Sequence, residues 1–443
     1  MTTTPSSTTA HGPVELDLDG SRVPVLVLRR SLGDLQHCVL AVARTLGRLG
    51  VPVYATRQSR TEPSTRSRYI TGGLALSADA TDDEWVDQVM RLDPHLSGAI
   101  LLPIDDVSAV TVGEHQEVLS SRFRLPLQTP GVARRLSSKL ALTSVCRELG
   151  VPTPETELLN APEDAVRFTE RFGYPLVLKR DEAWGGVKEP EAPSVLIVDG
   201  PAEFRPAYDR IRIQSPDVPN VLAQEYIPGG SESVWMFNGY FDRDSRCLSA
   251  FTGQKLRQCG AHGAGQTSLG VCTHNQTVED LAIRLMQGVQ YRGIVDMGFR
   301  FDARDGSYKL LDVNPRVGST FRLFSAADGA DVVRAMYLDL TGRPVPAAAA
   351  VPGRTWLDEP HDVVAALRLV RARKLSFRAW ARSVARVSES AWWARDDPVP
   401  FLAMIARLPR HTLATIASLP RHALARRATS RRAEPAEISV SGR

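Results

Sequence analysis

Gly293-Ile-Val-Asp-Met-Gly-Phe-Arg-Phe-Asp-Ala-Arg-Asp-Gly-Ser-Tyr-Lys-Leu-Leu-Asp-Val-Asn-Pro-Arg316 is the stretch that decides how this chain folds. Apolar and polar residues alternate strictly through its first half, which is the period of a strand with one buried face. The second half, residues 308–314, repeats the alternation. A three-residue loop, 304–306, joins the halves, with Gly306 where a left-handed residue is usual. The stretch therefore predicts a β-hairpin.

The loop length fixes the register of this hairpin, and the register sorts its residues onto two faces. It predicts two apolar pairs and two polar pairs: Phe299–Leu311, Met297–Val313, Gly298–Asp312 and Asp296–Asn314. Two carboxylates and an amide on one face form an oxygen-rich cluster, which suits a Mg²⁺ ion that carries nucleotide phosphates. Arg316 follows at once and can fork onto a phosphate or a carboxylate. The alternative is a surface hairpin with a charged wet face; the Asp-Val-Asn-Pro-Arg ending favours metal and phosphate binding.

The ending of the hairpin, Asp312-Val-Asn-Pro-Arg316, resembles the metal-binding signature of the ATP-grasp superfamily. Members include D-alanine–D-alanine ligase, biotin carboxylase and the carbamoyl-phosphate synthetase large subunit. The resemblance covers roughly residues 20–345 and is specific only over 130–320. It implies a two-lobed nucleotide site that uses ATP with Mg²⁺ or Mn²⁺, and an acyl phosphate that an amine usually captures.

Composition is that of an ordinary soluble globular protein, with 443 residues, 43% hydrophobic and 23% charged. No run approaches the ~20 apolar residues that a membrane span needs. The Thr/Ser-rich start lacks the apolar core of a signal peptide. Five scattered cysteines without a Cys-x-x-Cys pair argue against disulfides or zinc and for a reducing, cytoplasmic setting.

The net charge of +4 is a property of the C-terminal tail, because eight Arg face two Glu from Phe401 onward. The rest of the chain is close to neutral, which gives no support for nucleic-acid binding. Small-molecule carboxylate and amine substrates are the partners that the resemblance implies.

The fold class predicted is α/β, with an N-terminal parallel α/β domain, a two-lobed α+β ATP-grasp domain and a C-terminal helical extension. Short apolar runs alternate with helical stretches before residue 125, as in a parallel layer. No G-x-G-x-x-G follows the first run, so a dinucleotide site is not supported. The predicted segments are a disordered lead (1–20), a pre-ATP-grasp domain (21–125), the ATP-grasp domain (126–345, with lobes 126–222 and 223–345), the helical extension (346–425) and a basic disordered tail (426–443).

Three shorter segments carry expectations of their own. Asp105-Asp106 follows the third predicted strand, where either a ligand-binding role or a helix cap is expected. Trp184-Gly-Gly-Val-Lys188 predicts a loop that closes over phosphates. The Gly-rich segment Cys259–Thr273 predicts a mobile loop.

Cations and hinge residues upstream of the hairpin match the nucleotide site of the family. Lys139 and Lys179 match its two phosphate lysines, although a lone lysine is more often a snorkelling surface residue. The resemblance places Gln224 at the adenine amino group, the backbone of Glu225 and Ile227 at the adenine edge, and Glu232 at the ribose hydroxyls. For Glu232, an exposed turn residue is the alternative.

Lys255 and Arg257 lie two residues apart in a predicted strand, so they are expected on one face, at the γ-phosphate or the substrate carboxylate. Gly298 departs from the family, whose members usually have a metal-binding Glu, Asp or Gln there. Three interpretations stay open: Asp296 substitutes, one metal is held less tightly, or the enzyme is degenerate.

The sequence as a whole predicts an ATP-dependent carboxylate–amine ligase that forms an acyl phosphate and releases ADP and phosphate. Its free-standing single unit looks more like a D-aspartate ligase or an amino-acid ligase than half of a carbamoyl-phosphate synthetase. Asp312, Asn314 and Asp296 would hold the metal, and Arg316, Lys255 and Arg257 would act on the reacting groups.

Two other classes are considered. One is a nucleotide-binding regulatory protein with lost chemistry, which Gly298 motivates. The other is peripheral membrane attachment through the C-terminal segment, whose apolar residues would suit an interfacial helix. Two prolines weaken the membrane interpretation, and a solvated helical appendage is favoured over it.

Overall fold

The computed structural model describes residues 22–31, 36–59, 61–181, 195–212, 220–260, 265–347 and 349–407. The predicted disordered lead, the basic tail and the loop Trp184–Lys188 lie outside these ranges. Within them, no helix combines the length and the apolar character needed to cross a membrane. The described strands form a four-stranded parallel sheet, a four-stranded antiparallel sheet and a seven-stranded mixed sheet.

The N-terminal part is a parallel α/β layer, as the alternating runs predict. The strands are β1 (Val25–Leu28), β2 (Val53–Thr56), β3 (Gly72–Leu74) and β4 (Ile100–Pro103), in the order β3-β2-β1-β4. The helices are α1 (His37–Gly47), α2 (Asp82–Met90), α3 (Asp106–Glu114) and α4 (Gln116–Ser120). Strand β1 is fully buried because parallel strands are covered on both faces.

Asp105 caps α3, so the cap interpretation is correct for this residue. Its carboxylate accepts hydrogen bonds from the backbone N–H of Ser108 at 2.7 Å and of Ser31 at 2.7 Å. The bonds satisfy an orphan donor of the helix and fix the loop after β1. Asp106 is the first residue of α3, and its carboxylate accepts a hydrogen bond from Arg316, far along the chain.

The next unit is a four-stranded antiparallel sheet of order β5-β8-β6-β7. The strands are β5 (Thr156–Leu159), β6 (Leu176–Arg180), β7 (Val195–Val198) and β8 (Val221–Glu225). The helices are α5 (Val132–Ser137), α6 (Lys139–Glu148), α7 (Asp164–Phe172) and α8 (Pro201–Arg212). Ser138 separates α5 from α6, and its side chain accepts a hydrogen bond from the Ala141 N–H, which sets the start of α6 at Lys139.

A seven-stranded sheet carries the hairpin at its edge, in the order β13-β12-β9-β10-β11-β14-β15. The strands are β9 (Val234–Phe241), β10 (Cys247–Cys259), β11 (Gln266–Cys272), β12 (Gly293–Asp302), β13 (Ser307–Asn314), β14 (Thr355–Leu357) and β15 (Glu389–Ser390). Helices α9 (Gln276–Gly288) and α10 (Val332–Leu340) pack with this sheet. The prediction of a mobile loop at Cys259–Thr273 is wrong for most of its length, because β11 occupies 266–272.

The predicted register of the hairpin is correct at its polar end and wrong near the turn. Asp296 pairs with Asn314 and Gly298 with Asp312, but Phe299 pairs with Leu310 and not with Leu311. The turn has four residues, 303–306, and a bulge absorbs the difference. Gly306 has φ +73°, the left-handed conformation that the sequence predicted.

The bulge has a cause outside the hairpin. The Leu310 N–H donates to the Pro152 carbonyl at 2.8 Å, and the Leu310 carbonyl accepts from the Thr153 hydroxyl at 3.0 Å. These bonds hold Leu310 of β13 against the segment before β5, and the pairing of β13 with β12 shifts by one residue there. As a result Leu310 enters the core, while the Leu311 carbonyl accepts a hydrogen bond from the Lys179 ammonium at 3.4 Å.

The C-terminal extension is only partly helical, which corrects the sequence prediction. It adds β14 and β15 to the large sheet, together with α11 (Glu359–Arg371), α12 (Phe377–Ala385) and a helix at 399–407. Sequence reasoning missed these strands because three and two residues are too short to show a period.

Arg257 ties the extension to the large sheet. Its guanidinium donates to Asp362 in two parallel bonds, Nε to Oδ1 at 2.7 Å and Nη2 to Oδ2 at 2.9 Å. Asp362 also accepts from the Ser268 hydroxyl and the Trp380 indole. Arg257 and Asp362 are both buried, so each supplies the opposite charge that the other requires away from water.

We predict that Asp362→Ala destabilises the protein strongly, by about 3–5 kcal/mol, because it leaves a buried guanidinium unpaired. Asp209→Ala is the matched control, since Asp209 pairs with Arg205 on an exposed helix surface and its loss should leave the melting temperature nearly unchanged. Thermal unfolding of the two variants checks this. Equal melting temperatures would contradict the anchoring role.

Candidate active site

The polar face of the hairpin places Asp296, Asp312 and Asn314 together. Gly298 lies opposite Asp312, and a Cβ atom at position 298 would lie 2.5 Å from Asp312 Oδ1. The Asp312 carboxylate therefore fills the space that the missing side chain leaves. The glycine that departs from the family pattern determines where this carboxylate sits.

The Asp296 carboxylate accepts hydrogen bonds from two side-chain amides. Its Oδ1 accepts from Asn238 Nδ2 at 2.8 Å, and its Oδ2 accepts from Asn314 Nδ2 at 3.4 Å. Arg316 Nη1 lies 4.0 Å from Oδ2. Burial raises the pKa of Asp296, and nearby Arg316 only partly opposes this, so the pKa stays above its usual value.

Asn238, on β9, is a site residue that the sequence analysis missed. It is completely buried, and among the described residues its Oδ1 atom has no hydrogen-bond partner. Asn238 stands directly across from Asp296 in the sheet. The sequence did contain a signal for this residue. Asn238 is a single amide at a buried position of the apolar strand Val234–Phe241, and a buried amide needs hydrogen-bond partners.

Four cations surround Asp312 and come from different elements. Burial raises the pKa of Asp312, but these four positive charges outweigh burial and hold the pKa below its usual value. They are Lys139 at the start of α6, Lys179 at the end of β6, Lys255 on β10, and Arg316 after β13. Four of the cations expected at phosphates or substrate thus meet at one carboxylate.

Lys179 is the one of these cations whose pKa is clearly lowered toward neutrality. Burial lowers its pKa to about 8, with Asp312 opposing that effect and Lys139 adding to it. A bound anion would raise this pKa again, because an opposite charge favours protonation of an amine. Lys255 behaves alike: burial lowers its pKa despite Asp312 and Asp296, and its ammonium donates to the Gly265 carbonyl at 3.3 Å.

Asp181 links the segments that carry Lys139 and Lys179, the two lysines expected at phosphates. Two residues beyond Lys179, its carboxylate accepts from the Ser138 hydroxyl at 3.0 Å and from the Leu140 N–H at 2.9 Å. These bonds hold the N-terminus of α6, where Lys139 begins the helix, next to the end of β6. Sequence analysis did not identify Asp181.

The expectation that Arg257 and Lys255 share a face is wrong. Irregular pairing between β10 and β11 intervenes at Leu256, so residues 255 and 257 do not follow simple alternation. Arg257 points to Asp362 and Ser383 in the extension. Its donors are engaged there, which makes it a structural residue and leaves Lys255 alone at the cluster.

Arg316 joins the cluster to the N-terminal domain. Its Nε donates to Asp106 Oδ1 at 2.9 Å, and its Nη2 donates to Asn314 Oδ1 at 3.2 Å. Asp106 is thus the member of the Asp105-Asp106 pair that faces the site. A cavity beside Arg316 lies between β4, α3 and the start of β12, with Pro103, Ala109 and Ile294 in its walls.

The residues expected at adenine and ribose lie along one connection between the lobes. Gln224 is buried and donates to the Thr156 hydroxyl at 3.0 Å. The Glu225 N–H donates to the Glu155 carbonyl at 2.9 Å, and its carboxylate pairs with Arg304 at 2.6 Å. Ile227 is buried.

Glu232 is exposed, and its carboxylate accepts from the Gly230 N–H at 3.1 Å. The roles assigned to Gln224, Glu225, Ile227 and Glu232 remain predictions.

The oxygen donors fit a hard divalent cation. Among the described residues, no group of three or more His, Cys, Asp or Glu side chains is arranged to hold a metal. Asp312, Asp296 and Asn314 nevertheless offer carboxylate and amide oxygens on one face, with the unpaired Asn238 oxygen beside them. Mg²⁺ bound with a nucleotide needs few protein ligands of this kind.

Comparison with curated proteins finds distant relatives. No protein-family model matches the chain. A stretch of 256 residues is 24% identical to the C-terminal section of the carbamoyl phosphate synthase large chain of Methanopyrus kandleri, covering 57% of this chain and 45% of the relative. A stretch of 241 residues is 23% identical to the D-aspartate ligase of Enterococcus faecium, covering 53% and 57%. The chain therefore spans about half the length of the curated relatives it matches.

Solved structures share the fold. The L-amino acid ligase from Bacillus licheniformis superposes with a TM-score of 0.56 at 13% identity, covering 76% of this chain and 78% of that one. The N5-carboxyaminoimidazole synthetase from Staphylococcus aureus complexed with ADP gives 0.55 at 10% identity, covering 75% and 80%. These likenesses confirm the ATP-grasp type of fold that the resemblance implies.

We predict that Gly298→Ala weakens Mg²⁺-dependent ATP binding by about tenfold, since the new methyl group displaces the Asp312 carboxylate from its place among the cations. Gly200→Ala is the control, because a Cβ atom there meets nothing within 4 Å. Calorimetric titration of ATP with and without Mg²⁺ measures the effect. Unchanged affinity in Gly298→Ala would contradict the metal-site assignment.

Proposed function

We propose that this protein is an ATP-dependent ligase that joins a carboxylate to an amine through an acyl phosphate, with release of ADP and phosphate. Relatives that ligate amino acids make an amino-acid or peptide ligase the best-supported subclass. The observation that carries the proposal is the convergence of four cations on Asp312 at the end of the hairpin.

The phosphates would lie between the two lobes. Lys139 and Lys179 approach Asp312 from the first lobe, and Lys255 approaches it from the second. A triphosphate in this space would pair with all three ammonium groups. It would also keep Lys179 protonated, although burial lowers the pKa of that residue to about 8.

Asp312, Asn314 and Asp296 would hold Mg²⁺, which supplies charge neutralisation for the β- and γ-phosphates. Of the three interpretations of Gly298, the structure favours substitution by Asp296. Asp296 lies one pleat away on the same face, and Asn238 and Asn314 fix its carboxylate. The retained cations argue against a degenerate site.

Arg316 and Lys255 would act on the reacting groups. Arg316 stands between the hairpin and the N-terminal domain, where Asp106 orients its guanidinium. A substrate carboxylate beside Arg316 would face the γ-phosphoryl group that the lysines hold. Both cations would stabilise the charge that develops as the carboxylate oxygen attacks phosphorus, and positioning of this kind accounts for most phosphoryl-transfer catalysis.

The adenine would occupy the connection after β8. The Gln224 amide is engaged with Thr156, so contact with the adenine amino group would require that bond to break. Backbone groups from Glu225 to Ile227 remain the proposed adenine edge. Glu232 is exposed two residues before β9 begins, and its carboxylate would accept hydrogen bonds from the ribose hydroxyls.

We predict that turnover requires Mg²⁺ and yields ADP and phosphate in equal amounts when pairs of L-amino acids and D-aspartate are offered. Asp312→Ala should abolish turnover with an unchanged circular dichroism spectrum, because it removes a metal oxygen and no core packing. Asp305→Ala, in the turn of the same hairpin, is the control and should retain activity.

AMP and pyrophosphate as stoichiometric products would reject the acyl-phosphate mechanism. ATP binding without ADP release for any pair would favour the regulatory nucleotide-binding protein instead. Wild-type activity in Asp312→Ala would show that the metal site has been placed wrongly.

A further inference from the structure

A buried pair of side chains links the N-terminal domain to the C-terminal extension close to the cation cluster. His37 is the first residue of α1, and its Nε2 atom lies 3.3 Å from Asp358 Oδ2. The same carboxylate oxygen lies 2.7 Å from His361 Nδ1. His37 is 9% exposed and Asp358 is 1% exposed.

Each member of this pair keeps one polar atom unused. Among the described residues, His37 Nδ1 and Asp358 Oδ1 are buried and have no hydrogen-bond partner. Buried atoms of this kind are rare, and each costs about 1–3 kcal/mol when it stays unsatisfied. Two such atoms in one ion pair indicate a site that a ligand completes.

The orientation of the imidazole follows from its partner. Nε2 faces a carboxylate, so Nε2 carries the ring proton and Nδ1 presents a lone pair. Burial raises the pKa of Asp358, but His37 and His361 outweigh burial and hold the pKa well below its usual range. An imidazole fixed by an ionised aspartate, with the other nitrogen open, is the arrangement of a general base.

The surroundings hold the pair rigidly. The Trp356 ring lies 5.4 Å from the His37 ring, and the Trp392 ring meets it edge-on at 6.3 Å. The Asp358 N–H donates to the Ser268 carbonyl on β11 at 2.9 Å. Packed aromatic walls and a backbone anchor leave the imidazole little freedom to rotate.

Two structural links place the pair next to the proposed reaction centre. Cys38, the neighbour of His37, lies 3.9 Å from the Gly318 carbonyl, and a Cβ atom at Gly318 would lie 2.5 Å from Asp296 Cγ. In the sheet, Lys255 pairs with Gly270 and Gly270 with Trp356.

Two strand spacings separate Lys255 from Trp356, about 10 Å. His37 therefore stands beyond Lys255, on the side away from the lysines of the first lobe. The phosphates would occupy the space between those lysines and Asp312. An acyl group near Arg316 and Lys255 would thus have its open side toward His37.

We propose that His37, positioned by Asp358, accepts a proton from the amine substrate, a step that rests on the proposed ligase function. The amine arrives as an ammonium ion and gives one proton to His37 Nδ1. Its lone pair then attacks the carbonyl carbon of the acyl phosphate. The C–N bond forms while the C–O bond to phosphate breaks.

The leaving phosphate oxygen keeps the electron pair and takes the second proton of the nitrogen. His37 returns its proton to solvent. No redox change occurs, and the products are the amide and hydrogen phosphate.

Hydroxylamine separates proton removal from all other steps, because it is uncharged at neutral pH and attacks acyl phosphates without a base. In His37→Gln, ADP release with the amino-acid pair that the wild-type protein joins should fall at least about 100-fold in kcat. With hydroxylamine replacing the amine, ADP release should stay close to the wild-type rate. Asp358→Asn keeps the shape of the side chain. It should lower ADP release with the amino-acid pair by a smaller factor and leave ADP release with hydroxylamine close to the wild-type rate.

His115→Gln is the matched control, because His115 also faces an aspartate, Asp83, but lies on an exposed part of the N-terminal domain. It should leave both rates unchanged. Equal losses with both nucleophiles in His37→Gln and Asp358→Asn would mean that the pair only joins the domains, and no loss would also overturn the proposal. A wild-type protein that releases no ADP with either nucleophile would reject the ligase function itself.

Discussion

The charge balance around Asp312 is the constraint on which the proposed active site depends. The half-buried Asp312 carboxylate experiences the charges of Lys139, Lys179, Lys255 and Arg316, although four cations in a partly desolvated space repel one another. Burial lowers the pKa of Lys179 and of Lys255, which shows that Asp312 alone does not satisfy them. A further polyanion, such as the metal-bound triphosphate of the proposed function, would complete the cluster.

The cluster forms because hydrogen bonds between distant parts of the chain bring its members together. Asp181 fixes the start of α6 beside the end of β6, and the bulge at Leu310 delivers a backbone carbonyl to Lys179. Asp106 brings the N-terminal domain to Arg316. The extension belongs to this assembly, since it pairs with the large sheet through β14 and carries Asp358 to His37. An isolated ATP-grasp unit would lack the wall from which we propose the amine is deprotonated.

Sequence reasoning recovered what local patterns encode. The hairpin, its polar pairs at Asp296 and Asp312, and the left-handed Gly306 follow from alternation and turn chemistry. The bulge was invisible because Leu310 and Leu311 are both apolar, and its cause lies at Pro152. The sequence analysis assigned Arg257 to the reacting groups because it could not show the true partner. That partner is Asp362, 105 residues further along the chain, and no local pattern reports their contact. The pairing of His37 with Asp358 likewise depends on tertiary structure that no local period reports.

Transfer of labelled oxygen tests the central claim most directly. If the carboxylate substrate attacks the γ-phosphorus, one oxygen of that carboxylate must leave with the phosphate when the amine displaces it. A carboxylate substrate labelled with oxygen-18 should therefore give inorganic phosphate that carries one labelled oxygen per turnover, measured by mass spectrometry. Phosphate with no label, formed at the same rate as amide, would contradict the acyl-phosphate account of this site.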